Sequence, residues 1–251
     1  MFPDGMKKQK KLFMQIMAIL FWVAIWHILS TRKILGIFLA SPWQTVERLL
    51  QLCRTAAFWQ TLLYTTGRIL TGFLLAVLIG TVLAVITGRL EWVDLFLMPV
   101  MRLIRTVPVV SFIILALILV SSRYLTQLIS FIMALPIIYM NVKTGIARTD
   151  RQLVEMARLF RVSRARKLWY LYIPQIMPFF ETGTTLALGF AWKSGIAAEV
   201  IGMPDGSVGE MLQQAKVYLN TPDLFAWTAA IVVLSILVER VWKRLLLFVK
   251  A

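Results

Sequence analysis

The sequence predicts an all-α polytopic membrane protein with six transmembrane helices and a cytoplasmic helix between the fourth and the fifth. Three observations predict it. Of 251 residues, 59% are hydrophobic and only 16% charged, where soluble domains have about a quarter charged. Apolar runs long enough for a bilayer core about 30 Å thick recur along the chain. The cations gather in alternate gaps between those runs.

The runs fall at about 12–29, 62–87, 95–120, 125–147, 177–201 and 222–246. A basic start (Lys7, Lys8, Lys10, Lys11) precedes the first run, and no small-residue cleavage site follows it. The run is therefore expected to be an uncleaved first helix. With both termini inside, sixteen of the 27 Lys and Arg residues lie in cytoplasmic segments, seven of them between Arg148 and Lys167. Six lie outside: Arg32, Lys33, Arg48, Arg54, Arg123 and Lys216. That orientation obeys the positive-inside rule. The net charge of +15 thus reports topology, and no nucleic-acid partner is expected.

Two spans carry small residues at every fourth position: Gly72, Ala76, Gly80, Ala84 and Gly88 in the second, and Gly183, Ala187, Ala191 and Gly195 in the fifth. Such stripes let backbones approach where lipid offers no hydrophobic drive. They fit packing inside one subunit or a contact between subunits. The five remaining cations lie within spans and need separate accounts. Arg68, about a turn inside the outer end, is expected to snorkel; Arg102 and Arg105, before Pro108, are expected to reach water. Lys193 is too deep to snorkel and is expected on a translocation pathway, facing a cavity, or paired with Glu199 or with Glu181 of another protomer. Glu199 is a candidate for the same pathway, although a structural hydrogen bond suits it as well.

Chemistry of familiar kinds is missing. No glycine is followed by lysine, so the phosphate loop ending Gly-Lys-Ser/Thr is absent, as are the His-Glu-x-x-His and Gly-x-Ser-x-Gly patterns. The single Cys53 and single His27 cannot build a metal site within one chain and are expected to pack. No catalytic residue, metal or cofactor is expected in this chain. The classes left are transport driven by another protein, an ATP-independent channel or secondary transporter, and, less favoured, a membrane enzyme.

The cytoplasmic segment reads LVEMARLFRVSRARKLWYLYIP from Leu153 to Pro174. Leu153, Met156, Ala157 and Phe160 recur at helical spacing as an apolar face. Ser163 is placed to cap a second helix leading to Pro174. Such a segment suits either a surface of anionic headgroups or a soluble partner.

Glu155-x-Ala157 followed by Leu171-x-Ile173-Pro174 resembles the cytoplasmic signature of bacterial ABC importer permeases. That signature is Glu-Ala-Ala, three residues, Gly, nine residues and Ile-x-Leu-Pro, and the spacing fits without a gap. Thr61 to Gly88, Arg105-Thr-Val-Pro108 and Leu186 to Gly202 resemble segments of the nitrate/sulfonate/taurine branch, and the likeness covers about residues 60–245. Met156 and Arg161 depart from the signature, Arg161 standing where the family has its turn glycine.

The resemblance implies residues 1–60 as basic tail, first helix and external segment. Residues 61–251 would be the permease core, with a coupling helix near 150–162. It implies a bacterial inner-membrane protein that imports a small solute, an anion or a related molecule. Members of the branch carry nitrate, alkanesulfonates, taurine and pyrimidine-like precursors. The implied partners are a cytoplasmic ABC ATPase dimer using ATP and magnesium, a second and identical permease subunit, and an extracytoplasmic binding protein. Leu153, Glu155, Met156, Ala157, Phe160 and Arg161 would carry the coupling.

Overall fold

The computed structural model describes residues 4–32 and 38–250. Lys33 lies outside them, as do the side chains of Lys7, Lys8, Lys10, Lys11 and Lys250. The described residues are helical, with no strand among them: α1 Asp4–Ser30, α2 Pro42–Cys53, α3 Ala56–Thr87, α4 Glu91–Thr106, α5 Val109–Leu119, α6 Ser122–Ala147, α7 Arg151–Leu159, α8 Arg164–Lys167, α9 Ile173–Gly202, α10 Val208–Val217 and α11 Thr221–Lys250.

Among the described residues, four helices are long and apolar enough to cross a membrane, namely α1, α3, α6 and α11, and the bent pair α4–α5 makes a fifth if counted as one. Two expected spans thus change character. The run 95–120 is not straight: α4 and α5 meet at 106°. The cause is local, because Pro108 excludes the residue before it from helical backbone, and Val107 is extended at φ −73°, ψ 133°. The run 177–201 is helical, and at 30 residues α9 is about 45 Å long. Glu181, Lys193 and Glu199, together with its small residues, keep it from being apolar throughout.

Two segments expected outside the membrane contain two further helices. Ser41 starts α2 with a capping box, its hydroxyl accepting from the Gln44 amide while the Gln44 side chain accepts from the Ser41 amide, and Pro42 occupies the first turn. The second is α10, inside the segment 202–221.

Residues 1–59 and 211–231 form one compact unit. Within it, Trp26 donates to the Ala40 carbonyl (2.9 Å) and stacks on Phe225, and Phe58 packs on Trp227. Arg48 is ion-paired with Asp223, whose hydrogen-bonded carboxylate holds the guanidinium above its ordinary pKa. His27 is exposed on α1 rather than packed, and Cys53 is partly buried.

Residues 60–210 and 232–251 form the other unit, centred on the pairing of α6 with α9. The small-residue stripes serve this packing within the chain. Ala76, Ala84, Ala187 and Ala191 have no exposed surface. A Cβ at Gly72 would strike the Gln127 carbonyl, and one at Gly80 would come within 3.2 Å of Ile138. At Gly183 it would lie 2.6 Å from Asn141, and at Gly195 2.6 Å from the Ser130 hydroxyl and 2.7 Å from Ile69. Both α3 and α9 therefore lay their smallest faces along neighbouring helices.

Candidate functional site

At the α4–α5 elbow the chain forms a half-open cavity of about 590 Å³. Ile104, Arg105, Val107 and Val109 from the elbow line one side, α6 contributes Asn141 and the Pro136 turn, and α9 contributes Leu186, Phe190, Lys193 and Ser194. Apolar residues dominate the wall. Two cations, Arg105 and Lys193, lie in it with no carboxylate among the lining residues, and neither cation is in an ion pair among the described residues. Lys193 is exposed, whereas its neighbours Trp192 and Ser194 are buried. An apolar, partly closed hollow with two cationic groups can hold a small anion, with Asn141 as a further polar contact.

Glu199 does not share this cavity. It has no exposed surface and is not among the residues that line the cavity with Lys193. Its carboxylate accepts from the hydroxyls of Thr65 (2.8 Å) and Thr126 (3.3 Å) and from the Gly209 amide (3.2 Å). The Thr65 hydroxyl in turn accepts from the Val208 amide (3.0 Å). One acidic side chain thereby ties α3, α6 and the start of α10 together. The knot closes because position 209 is glycine; a Cβ there would overlap the Glu199 backbone and Cβ. Buried polar groups in an apolar surround persist when their hydrogen bonds are filled, as here.

Arg68 does not snorkel either. Only 8% exposed, it donates to the Arg123 carbonyl and stacks over Tyr64 with 4.0 Å to the ring centroid. Asp94 and Lys143 form an ion pair, with the Tyr139 hydroxyl donating to Asp94 at 2.7 Å. Lys143 is the fifth of the cations that fall within the expected spans. Asp94 lies 49 residues away, and only the fold brings the two together.

The 22 residues from Leu153 to Pro174 hold most of α7, all of α8 and a widened turn that runs into α9. Asp150 caps α7 by accepting from the Gln152 amide (2.8 Å), and Ser163 caps α8. At the end of α7 the Val162 amide donates to Ala157 and the Arg161 amide to Arg158, both at 3.0 Å, which is a complete Schellman motif. Its left-handed residue is Arg161, at φ 49°. The backbone thus adopts the turn a glycine would favour, with an arginine side chain projecting from it.

Leu153, Glu155, Met156 and Phe160 are exposed, as are Leu159 and Arg161, but Ala157 is buried within its own chain. Ala157 therefore does not belong to an outward face; it seats α7 on the chain. After α8 the helix widens to a five-residue turn over Leu168–Tyr172, the Ile173 amide reaching back to Leu168. Pro174, which has no amide hydrogen and crowds the carbonyl four residues before it, accounts for the widening.

Residues 72–245 match the family described as binding-protein-dependent transport system inner membrane component. The chain belongs to that family. Its relatives include the taurine transport system permease protein of Escherichia coli, 27% identical over 86% of this chain and 81% of the relative. The bicarbonate transport system permease protein of Synechococcus elongatus is 27% identical over 79% and 77%. The putative aliphatic sulfonates transport permease protein of Bacillus subtilis is 25% identical over 81% and 74%. The protein is thus a multi-pass membrane component of a binding-protein-dependent transport system and not an enzyme, similar to permeases named for taurine, bicarbonate and aliphatic sulfonates.

Proposed function

We propose that this permease imports a small anion, driven by ATP hydrolysis on a separate ABC ATPase dimer that uses magnesium. The observation carrying the solute reading is the cavity that holds Arg105 and Lys193 without a carboxylate. The named solutes of the relatives, taurine, aliphatic sulfonates and bicarbonate, each bear an anionic oxygen group, in keeping with such a site. In this reading α9 is a sixth span, its charges turned toward the cavity and the Glu199 knot and away from lipid, and both termini are cytoplasmic in a bacterial inner membrane. A second, identical permease subunit completes the pathway. An extracytoplasmic binding protein delivers solute to the external segments, including 202–221.

The coupling element is α7. Leu153, Met156 and Phe160 enter a groove of the ATPase, Glu155 and Arg161 fix register, and Ala157 supports the helix from behind. Closure of the ATPases then moves α7 as a rigid body and switches the access of the cavity. Residues 61–251 act as the permease core around it.

The test is ATP-dependent uptake into proteoliposomes holding the transporter copurified from its native operon, with taurine, an alkanesulfonate and bicarbonate as probes. Uptake of an anion that requires ATP and weakens with Lys193→Met supports the reading. Uptake without ATP, with no ATPase copurifying, contradicts it and favours a channel or secondary transporter.

A further inference from the structure

Helix α7 has a second side that docking leaves unused. Val154 and Arg158, one turn apart, point about 160° away from Met156 and Phe160 at about 100° per residue. They line a different hollow, of about 430 Å³. Its other cations are Arg89, in the turn after α3, and Arg164 and Lys167 of α8. Four cations thus share one hollow with no carboxylate among its lining residues. None of the four is in an ion pair among the described residues. The adjoining hollow of about 440 Å³, which shares Val154, Arg158 and Tyr172, adds Arg151 beside one carboxylate, Glu155, and Lys143, which is already paired with Asp94. Trp169 and Tyr170, 65% and 83% exposed, follow Lys167 after Leu168. Exposed amphipathic rings beside Arg and Lys are the composition found at headgroup level.

We propose that this hollow binds a phosphate group, supplied by an anionic phospholipid headgroup or by free phosphate, between Arg89, Arg158, Arg164 and Lys167. Guanidinium groups match phosphate oxygens with paired hydrogen bonds, and convergence of four like charges makes an anion the natural occupant. The aromatic neighbours favour the lipid as the source. A bound phosphate would brace α7 against the α3–α4 turn and α8 while leaving Met156 and Phe160 free. That this bracing tunes transport rests on the docking role proposed for α7; the binding itself does not.

The experiment uses the full chain with its copurified partners in nanodiscs of equal phosphatidylglycerol and phosphatidylcholine, followed by native mass spectrometry. Retention of phosphatidylglycerol over phosphatidylcholine is expected. It should weaken about fivefold for each cation removed in Arg89→Gln and Arg164→Gln, and much less in Arg164→Lys. A second arm titrates inorganic phosphate onto protein in phosphatidylcholine-only nanodiscs. Binding there that disappears in the double variant, with no lipid retained in the first arm, assigns the hollow to free phosphate. Binding of neither probe, or equal binding by a double variant that melts like the wild type, overturns the proposal. Because no arm measures transport or ATPase docking, its outcome is independent of the import reading.

Discussion

The two ionisable positions in the C-terminal third of α9 treat charge in opposite ways. Glu199 is sealed from solvent with three donors on its carboxylate. Lys193, less than two turns earlier, is exposed to a cavity and has no ion-pair partner among the described residues. Charge in apolar surroundings is costly in both places, and the chain offsets that cost by its own hydrogen bonds in one and leaves it open in the other. The first arrangement marks a structural joint. The second marks a place for something that arrives.

The largest effect is expected at the joint. Glu199→Leu leaves two hydroxyls and an amide buried without an acceptor, at about 1–3 kcal/mol each in such surroundings. The variant should show sharply reduced folded yield and melting temperature in detergent. A stable, active Glu199→Leu variant would break the distinction between the two sites. Gly209→Ala, which forces a Cβ into Glu199, should cost about 1–3 kcal/mol by overpacking, read from the same melting curves. Lys193→Met should leave melting within about 0.5 kcal/mol of wild type, as substitutions away from packed features do, while anion uptake falls about tenfold.

The smallest effect runs the other way. Arg161→Gly should stabilise the end of α7 by about 1 kcal/mol, by removing the cost of a side chain in left-handed backbone. Slower amide exchange at Val162, whose amide closes the motif, would check it. Unchanged exchange would mean that Arg161 recovers the cost through contacts of its side chain.

What could be read from residues alone follows a physical division. The stripes in α3 and α9 were legible because period-four small residues have one main use in a membrane, although only the fold shows which helices they meet. Arg161 was legible as a question, since the signature places a glycine there, and φ answers it. The face of α7 was half legible: period 3.6 groups Leu153, Met156, Ala157 and Phe160 but does not say how far round the helix its own chain reaches, and it reaches Ala157.

The elbow at Val107-Pro108 had its signal in the dipeptide, yet hydropathy averaged across it. The capping box of α2, Ser41 to Gln44, was also present and unread. Asp94 with Lys143, and Glu199 with Thr65, Thr126 and Gly209, were beyond reach, because pairing between distant segments depends on topology. Arg68 shows the same limit, since its acceptor is a backbone carbonyl.

The most direct test of the contrast within α9 is the concentration dependence of anion uptake by the reconstituted transporter, measured for wild type and Lys193→Met alongside their melting curves. The account predicts a KM raised about tenfold with the melting temperature unchanged, the signature of lost binding rather than lost fold. An unaltered KM and rate in a normally folded Lys193→Met transporter would contradict it.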